Sequence, residues 1–459
     1  MEFTTEEELV EYAVKAEGKR FADIDLMGRL DKVTKGNLGQ IIEESYFGYE
    51  INSRPEADFK DLNIELKVTG VKKNKNKTLS AKERLVLNII NYNDEVKKDF
   101  DTSSFWSKNQ KLLLFFYLWD KEKTQREWSI LKTHLHSYSD EDLEVIKQDW
   151  EFIVNKIRAG KAHELSEGDT NYLGAASKGT NSNSVRSQPF SDIPAMQRAF
   201  SLKNSYMTAL TRKLLSEKDL VRITSPQELK KKTLEQIINE RFAPFVGKSL
   251  TQLSKEKNIR INIKTKAFLP DFISSLLGIK GTSLNDIEEF SKANIQFKTV
   301  RLEPRGLPKE HMSFKNVDFH DWLKEPFEDS WLFDYFSETK LLFVVFQYKE
   351  TEKENPNREL YFKGVKLWNM PYQDLQDLRE FYDHVKGILQ AGVKLTPTSR
   401  GTSTNLPGAG TNGKYHLRTK GRDGKDKLPL PVTGEMLTKH CFWFDKEYVV
   451  RIINDSTLS

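Results

Sequence analysis

One cysteine, Cys441, stands alone in 459 residues, which excludes an internal disulfide framework and any cysteine-based zinc site. Long apolar runs are also missing. The longest, residues 112–119, holds eight residues, against the roughly 20 that a membrane-spanning helix needs. The N-terminus reads Met-Glu-Phe-Thr-Thr-Glu-Glu-Glu, acidic where a secretory signal is basic and then apolar, so an intracellular, cytoplasmic chain is expected. No charge of one sign dominates: 72 Lys and Arg face 67 Asp and Glu, a net of +5. That balance names no partner. What is present, 37% hydrophobic and 11% aromatic residues, marks a globular chain long enough for two or three domains.

The distribution of charge says more than its sum. Residues 1–220 carry 34 basic and 36 acidic side chains, net −2, which leaves +7 for 221–459. Within the acidic half, residues 171–215 hold six Lys or Arg and only Asp192, and Lys67, Lys72, Lys73, Lys75 and Lys77 form a second basic cluster. Such patches suit a polyanion, because each neutralised phosphate releases counterions. A solvated surface loop can carry the same lysines.

Apolar spacing of three and four predicts an amphipathic helix over 5–30, and a second helix over 36–48 closed by Gly48. Residues 62–69 alternate as a strand, and 85–90 and 112–118 read as further strands, the last buried on both faces. Residues 140–159 are helical in pattern, 174–191 form a polar, glycine-bearing loop, and 197–215 read as a strand and then a helix. Residues 216–228, charged and containing Ser225-Pro226, are the natural linker. The second half then repeats this order. Asp58-Phe-Lys-Asp-Leu-Asn-Ile-Glu-Leu-Lys67 matches Glu289-Phe-Ser-Lys-Ala-Asn-Ile-Gln-Phe-Lys298. Lys111-Leu-Leu-Leu-Phe-Phe matches Lys340-Leu-Leu-Phe-Val-Val, and Arg198-Ala-Phe-Ser-Leu-Lys-Asn-Ser-Tyr206 matches His440-Cys-Phe-Trp-Phe-Asp-Lys-Glu-Tyr448. Matches in one order predict two tandem copies of one α/β domain, over 1–215 and 229–459.

In the first copy Glu65 and Lys67 sit two apart on a strand and share a face, with Asp58 seven residues before Glu65. Two carboxylates suit Mg²⁺, a hard ion that takes oxygen ligands, and a neighbouring lysine can orient water or offset charge on phosphorus. Taken alone, the acid…Glu-x-Lys pattern is weak, since Glu and Lys alternate on many exposed strands.

Context strengthens it. Lys35-Gly-Asn-Leu-Gly-Gln-Ile-Ile-Glu-Glu44-Ser-Tyr-Phe-Gly48, Asn52-Ser-Arg-Pro-Glu-Ala-Asp58-Phe and Leu62-Asn-Ile-Glu65-Leu-Lys67 closely resemble the mismatch-repair endonuclease MutH. They also resemble its restriction-enzyme relatives of the Sau-three-A type, which cut at GATC. Residues 81–92, 161–168 and 197–203 continue the resemblance to the restriction branch, which shares the two-copy layout; MutH has one such domain. The resemblance implies a PD-(D/E)xK restriction-endonuclease-like fold, a mixed central sheet flanked by helices. Its active site lies in one lobe and its base-reading loops in the other. It implies Asp58 and Glu65 as Mg²⁺ ligands, Lys67 as the water-assisting lysine, Glu44 as the helix glutamate and Lys108 as a further active-site lysine. Lys178 falls at a base-contacting lysine, with Arg186, Ser201 and Lys203 as further DNA-binding residues. Ser201 stands where MutH has a tyrosine, which leaves the response to adenine methylation open.

At the matching place the second copy has Glu289, Gln296 and Lys298, with Ser274 near the position of Glu44. Gln296 brings no carboxylate charge, so a working metal site is not expected there. Residues 401–427 keep a basic segment, with Arg418, Lys420 and Arg422 as candidate DNA contacts. In the resembled restriction enzymes this domain is an effector module that binds a second copy of the site. A purely structural domain is the plainer alternative.

Other signals in the sequence carry no chemistry. Gly408-Ala-Gly-Thr-Asn-Gly413 fits GxGxxG but neither follows a strand nor opens a helix pattern. His134 and His136 have no partner in sequence that completes a zinc set, and Cys441, beside Phe442 and Trp443, reads as a small core residue. The expectation is a Mg²⁺-dependent type II restriction endonuclease making double-strand breaks in duplex DNA at GATC, cut before G by resemblance, and self-associating on DNA. Two alternatives are a MutH-like nicking enzyme that depends on partner proteins, and a non-catalytic DNA-binding regulator.

Overall fold

The computed structural model describes residues 2–31, 36–51, 56–179, 184–216, 220–258, 268–279, 284–399 and 401–455. Lys35, residues 52–55 of the motif, residues 180–183 of the polar loop and residues 217–219 of the linker lie outside them. The chain folds as two compact units. One is Met1–Leu234 with Leu284–Asn294, the other Glu235–Ser283 with Ile295–Ser459.

In the first unit, helix α1 (Glu6–Val14) starts where the Thr5 side chain accepts from the Glu8 N–H. The single helix expected over 5–30 stops there. Gly18, at φ 82°, turns the chain, and only a short helix, Phe21–Ile24, follows. The strands are β1 (Ile64–Lys73), β2 (Leu79–Ala81), β3 (Leu85–Ile89), β4 (Lys111–Trp119), β5 (Ile130–Ser137), β6 (Leu173–Ser177), β7 (Val185–Gln188), β8 (Ser191–Met196) and β9 (Arg198–Leu202). They build a sheet of order β2-β1-β4-β5, a sheet of order β3-β9-β6 and a hairpin, β7-β8. The first sheet is mixed: β1 and β4 are parallel, and β2 and β5 run antiparallel to their neighbours. β4 is buried from Leu112 to Tyr117, as its unbroken apolar run requires. Helices α2 (Ser104–Asn109), α3 (Asp140–Arg158) and α4 (Asn204–Ser216) are joined in the unit by several shorter helical turns.

The polar loop expected over 174–191 contains most of β6 and all of β7; β6 forms because Gly174-Ala-Ala176 is small enough to pack flat in an interior sheet. Asp149 on α3 holds the start of β6, accepting from the N–H groups of Asn171, Tyr172 and Leu173 at 2.7, 2.6 and 2.9 Å.

The unit boundary also differs from a division at 216–228, for an electrostatic reason. Lys292 donates to both oxygens of buried Asp142 at 2.7 and 2.6 Å and pairs with Glu288 at 2.6 Å. Arg222 grips Glu288 from the other side, at 2.7 and 2.8 Å. Burial acts to raise the Glu288 pKa, but the bonds from Arg222 and Lys292 overcome it and bring it down to about 2. Charges taken out of water stay together, so residues 284–294 belong to the first unit.

The second unit contains β10 (Ile295–Leu302), β11 (Met312–Asn316), β12 (Lys340–Tyr348), β13 (Leu360–Trp368) and helix α5 (Tyr372–Ala391). Then come β14 (Leu395–Thr398), β15 (Gly401–Thr404), β16 (Tyr415–Thr419), β17 (Lys427–Pro429), β18 (Met436–Thr438), β19 (His440–Phe444) and helix α6 (Lys446–Asn454). Its sheets run β10-β12-β13 and β11-β19-β16, with β14-β15 and β17-β18 as hairpins. β1 lies parallel to β4 with Ile64 opposite Lys111, and β10 lies parallel to β12 with Ile295 opposite Lys340. Each strand follows an asparagine in the left-handed conformation, Asn63 at φ 52° and Asn294 at φ 53°, a residue type that tolerates it. Among the described residues no helix is long and apolar enough to cross a membrane.

Candidate active site

Asp58 reaches Glu65 through a closed turn. Phe59 and Ile64 exchange backbone hydrogen bonds at 2.9 and 3.2 Å across the Lys60–Leu62 turn. The Leu66 N–H then donates to Asp58 Oδ2 at 2.9 Å. This turn places the aspartate beside the start of β1, where Glu65 is only 2% exposed. Lys67, on the same face, donates to Glu65 Oε1 at 2.5 Å, and Lys108, near the end of α2, stands 3.5 Å from the same oxygen. Glu65 Oε2 is buried and has no hydrogen-bond partner. Burial raises the Glu65 pKa; Lys67 opposes it, and the Asp58 charge adds to it.

The helix glutamate requires a correction. Glu44 forms an ion pair with Arg29 at 2.6 Å, and Arg29 also donates to Gln40 at 3.1 Å. Glu43 faces the site instead. Its pKa is raised first by burial and then by Asp58 and Glu65, with Lys67 and Lys108 opposing. The reason is local: Ile41–Tyr46 is a π-helix, and the Phe47 N–H donates to the Ile42 carbonyl, five residues back. The wider turn rotates the side chains relative to an α-helical count, and π turns recur at functional sites.

An orphaned buried carboxylate oxygen beside two further acids is a donor set that fits a hard divalent cation, since such ions take oxygen ligands and such an oxygen is costly to leave unpaired. Asp58 and Glu65 would hold the ion, with Glu43 near. Lys67 and Lys108 compensate the clustered negative charge.

The expected DNA contacts divide. Lys178 and Arg186 are exposed, Lys178 just after β6 and Arg186 on β7, and the Lys178 N–H is fixed to the Gln197 carbonyl at 2.7 Å. Ser201 and Lys203 are not surface residues, which corrects their assignment. β9 is buried along its whole length, and Ser201 is 0% exposed between β3 and β6. The Lys203 ammonium is buried and donates to the Thr170 carbonyl. One surface feature was not anticipated: the β7-β8 hairpin presents Phe190, 75% exposed, at its tip, with Val185 and Ile193 also exposed. Only its aromatic and β-branched residues between polar ones hint at it in the sequence.

In the second unit, Gln296 is exposed on β10. Glu289, which belongs to the first unit, is buried and accepts from the N–H groups of Ile223 and Thr224 and from the Thr224 hydroxyl at 2.6 Å. Ser274 is buried in the helix Phe268–Leu276. Lys298 lies 4.2 Å from the centre of the Phe314 ring, and burial, then the Lys420 charge, lowers its pKa to about 8. Arg418 and Lys420 lie over the Trp443 ring at 5.6 and 5.2 Å. Arg422 is solvent-exposed and stands 3.6 Å from Asp426. The Gly408–Gly413 stretch is a loop before β16, not a nucleotide cradle. Cys441 is buried in β19. His136 is buried against Tyr206, and burial brings its pKa down to about 3.

Fold and site together define a MutH-type DNA endonuclease. The family model described as "DNA mismatch repair enzyme MutH" matches residues 47–149 and again 277–380. The type II restriction enzyme Sau3AI of Staphylococcus aureus is 34% identical over 99% of this chain and 99% of its own. The DNA mismatch repair protein MutH of Shewanella woodyi is 34% identical over 34% of this chain and 64% of its own, and that of Vibrio vulnificus is 26% identical over 44% and 90%. The chain belongs to the Sau3AI family of type II restriction endonucleases.

Proposed function

We propose that the chain cuts both strands of duplex DNA at GATC, 5′ of the G, by metal-assisted phosphodiester hydrolysis with Mg²⁺. The observation that carries the reading is the buried Glu65 carboxylate, one oxygen held by two lysines and the other without a partner. When bound, the divalent ion polarises the scissile phosphate and lowers the pKa of a water molecule. Asp58 and Glu65 hold it. Lys67 orients the attacking water and offsets the charge that builds on phosphorus, Lys108 holds the scissile phosphate, and Glu43 supports the water network. Lys178 and Arg186 approach the bases and backbone, a lysine or arginine being suited to guanine O6 and N7.

The two units are tandem copies of one PD-(D/E)xK domain. Support comes from their shared strand register and from the double match to one family model. The first is the catalytic domain. The second is a pseudo-nuclease that binds a further GATC through the basic face around Arg418, Lys420 and Arg422 and acts as an allosteric effector. One site per chain hydrolyses one strand, so the double-strand break uses two chains that associate on DNA, in the cytoplasm. Digesting a mapped plasmid with the pure protein and Mg²⁺, then sequencing the ends, tests the reading. Four-base 5′ overhangs reading GATC are expected; nicks only, or ends at another sequence, would reject it.

A further inference from the structure

Outside the nuclease site, the second unit gathers His311, His416 and Asp445, one ligand atom from each lying within 4.8 Å of the others. They come from three places on one sheet: His311 just before β11, His416 on β16, and Asp445 between β19 and α6, which it caps. His416 and Asp445 are 0% and 1% exposed, whereas His311 retains some solvent access and opens a route inward.

Asp445 Oδ1 lies 2.7 Å from His416 Nδ1 and 3.5 Å from His311 Nδ1. Ligands of a tetrahedral zinc ion at 2.0–2.1 Å stand about 3.3 Å apart, so these separations bracket the one required. The other carboxylate oxygen, Oδ2, accepts the Gly410 N–H at 3.1 Å, and this bond fixes the Gly408–Gly413 loop over the cluster. His311 Nδ1 accepts the Lys446 N–H at 3.1 Å, a bond that an ion held at that nitrogen would displace. His416 Nδ1 and Asp445 Oδ1, the two atoms that face each other, are buried with no hydrogen-bond partner, and the His416 ring is stacked on Trp443 at 6.1 Å and 14°. A buried imidazole nitrogen left unpaired is unusual and calls for a ligand.

We propose that His311, His416 and Asp445 form a binding site for a borderline divalent cation of the zinc class, distinct from the hard-ion site at Glu65. Two imidazoles and one carboxylate are a donor set suited to zinc, and a hard ion such as Mg²⁺ prefers all-oxygen sites. The ion ties β11, β16 and the start of α6 together, directly behind the strand that carries Trp443.

The test uses the full-length chain carrying Glu65→Ala, so that the nuclease site does not compete. The chain is stripped with a chelator, dialysed against Zn²⁺ in the presence of excess Mg²⁺, and its metal counted by elemental mass spectrometry. About one Zn²⁺ per chain and a higher melting temperature are expected. Replacing Zn²⁺ with Co²⁺ should give the intense visible absorption of a four-coordinate nitrogen and oxygen site. Adding His311→Ala, at the most accessible ligand, should remove the retained metal and the Co²⁺ spectrum while the metal-free melting temperature stays within a few degrees. Asp445→Asn, if it folds, should do the same. Retention below a tenth of an equivalent in the parent, or unchanged retention and spectrum after His311→Ala, overturns the proposal.

Discussion

Strand β1 in the first unit and strand β10 in the second follow the same left-handed asparagine and pair in the same register with a parallel neighbour, yet their polar faces differ. On β1, Glu65 is buried and held by Lys67 and Lys108. On β10, Gln296 faces solvent, and counting back from Lys340 as from Lys111 puts Ser337 where the first unit has Lys108. Lys298 leans on an aromatic ring, with no carboxylate at ion-pair distance among the described residues. The acid that matches Asp58 survives as Glu289, but Thr224 and Ile223 occupy it. Register is set by the apolar faces, which both strands keep. The chemistry depends on a few polar positions that can be lost without disturbing the fold.

The largest effect comes from writing the second unit's residue into the first. Glu65→Gln should lower Mg²⁺-dependent plasmid cleavage by roughly 10³-fold or more while leaving the gel-shift affinity for DNA within about two-fold. Adding Gln296→Glu to that variant should restore nothing, because Glu289 is already engaged; recovered cutting would erase the difference between the strands. Next in size is the helix pair. Glu43→Gln should cost about 10- to 100-fold in cleavage rate and Glu44→Gln no more than about three-fold; the reverse order would return the catalytic role to Glu44.

A smaller effect is expected on binding. Arg418→Ala and Lys420→Ala should each weaken DNA binding about three- to ten-fold and lower the salt-dependence slope by about one. An unchanged slope would remove that face from the DNA contact. The smallest effect concerns stability. The Lys298 pKa is about 8 in the folded chain, below its unfolded value. Its charge therefore opposes folding below about pH 8, and the penalty fades as pH rises toward about 10.5. Lys298→Met should stabilise the chain at pH 7 by on the order of 2 kcal/mol, and the gain should shrink in melts taken at rising pH.

The juxtaposition of Asp58, Glu65 and Lys67 was readable in the sequence because a strand alternates with period two and a short turn joins them locally. Glu43 was hidden by the π-helix, since counting residues assumes a period the chain does not adopt there. Ser201 and Lys203 were misread because β9 is buried on both faces, which their polarity conceals. His311, His416 and Asp445 lie far apart in sequence with no common spacing, and only the β11-β19-β16 sheet brings them together. The strand register that the two units share was legible through their apolar strands. The placement of residues 284–294 was not, because it rests on ion pairs between residues remote in sequence.

That placement bears on how the gene can be cut and recombined. A truncation at residue 229 would take Lys292 from the N-terminal piece, leaving buried Asp142 with the Tyr206 hydroxyl at 2.9 Å and Arg222 at 4.0 Å, while the remainder would carry Glu288 and Glu289 stripped of Arg222 and Thr224. Neither half is then a self-sufficient module. Chimeras between relatives that respect both units need junctions near residues 234, 284 and 295, with residues 284–294 taken from the N-terminal parent and Glu235–Ser283 from the C-terminal one.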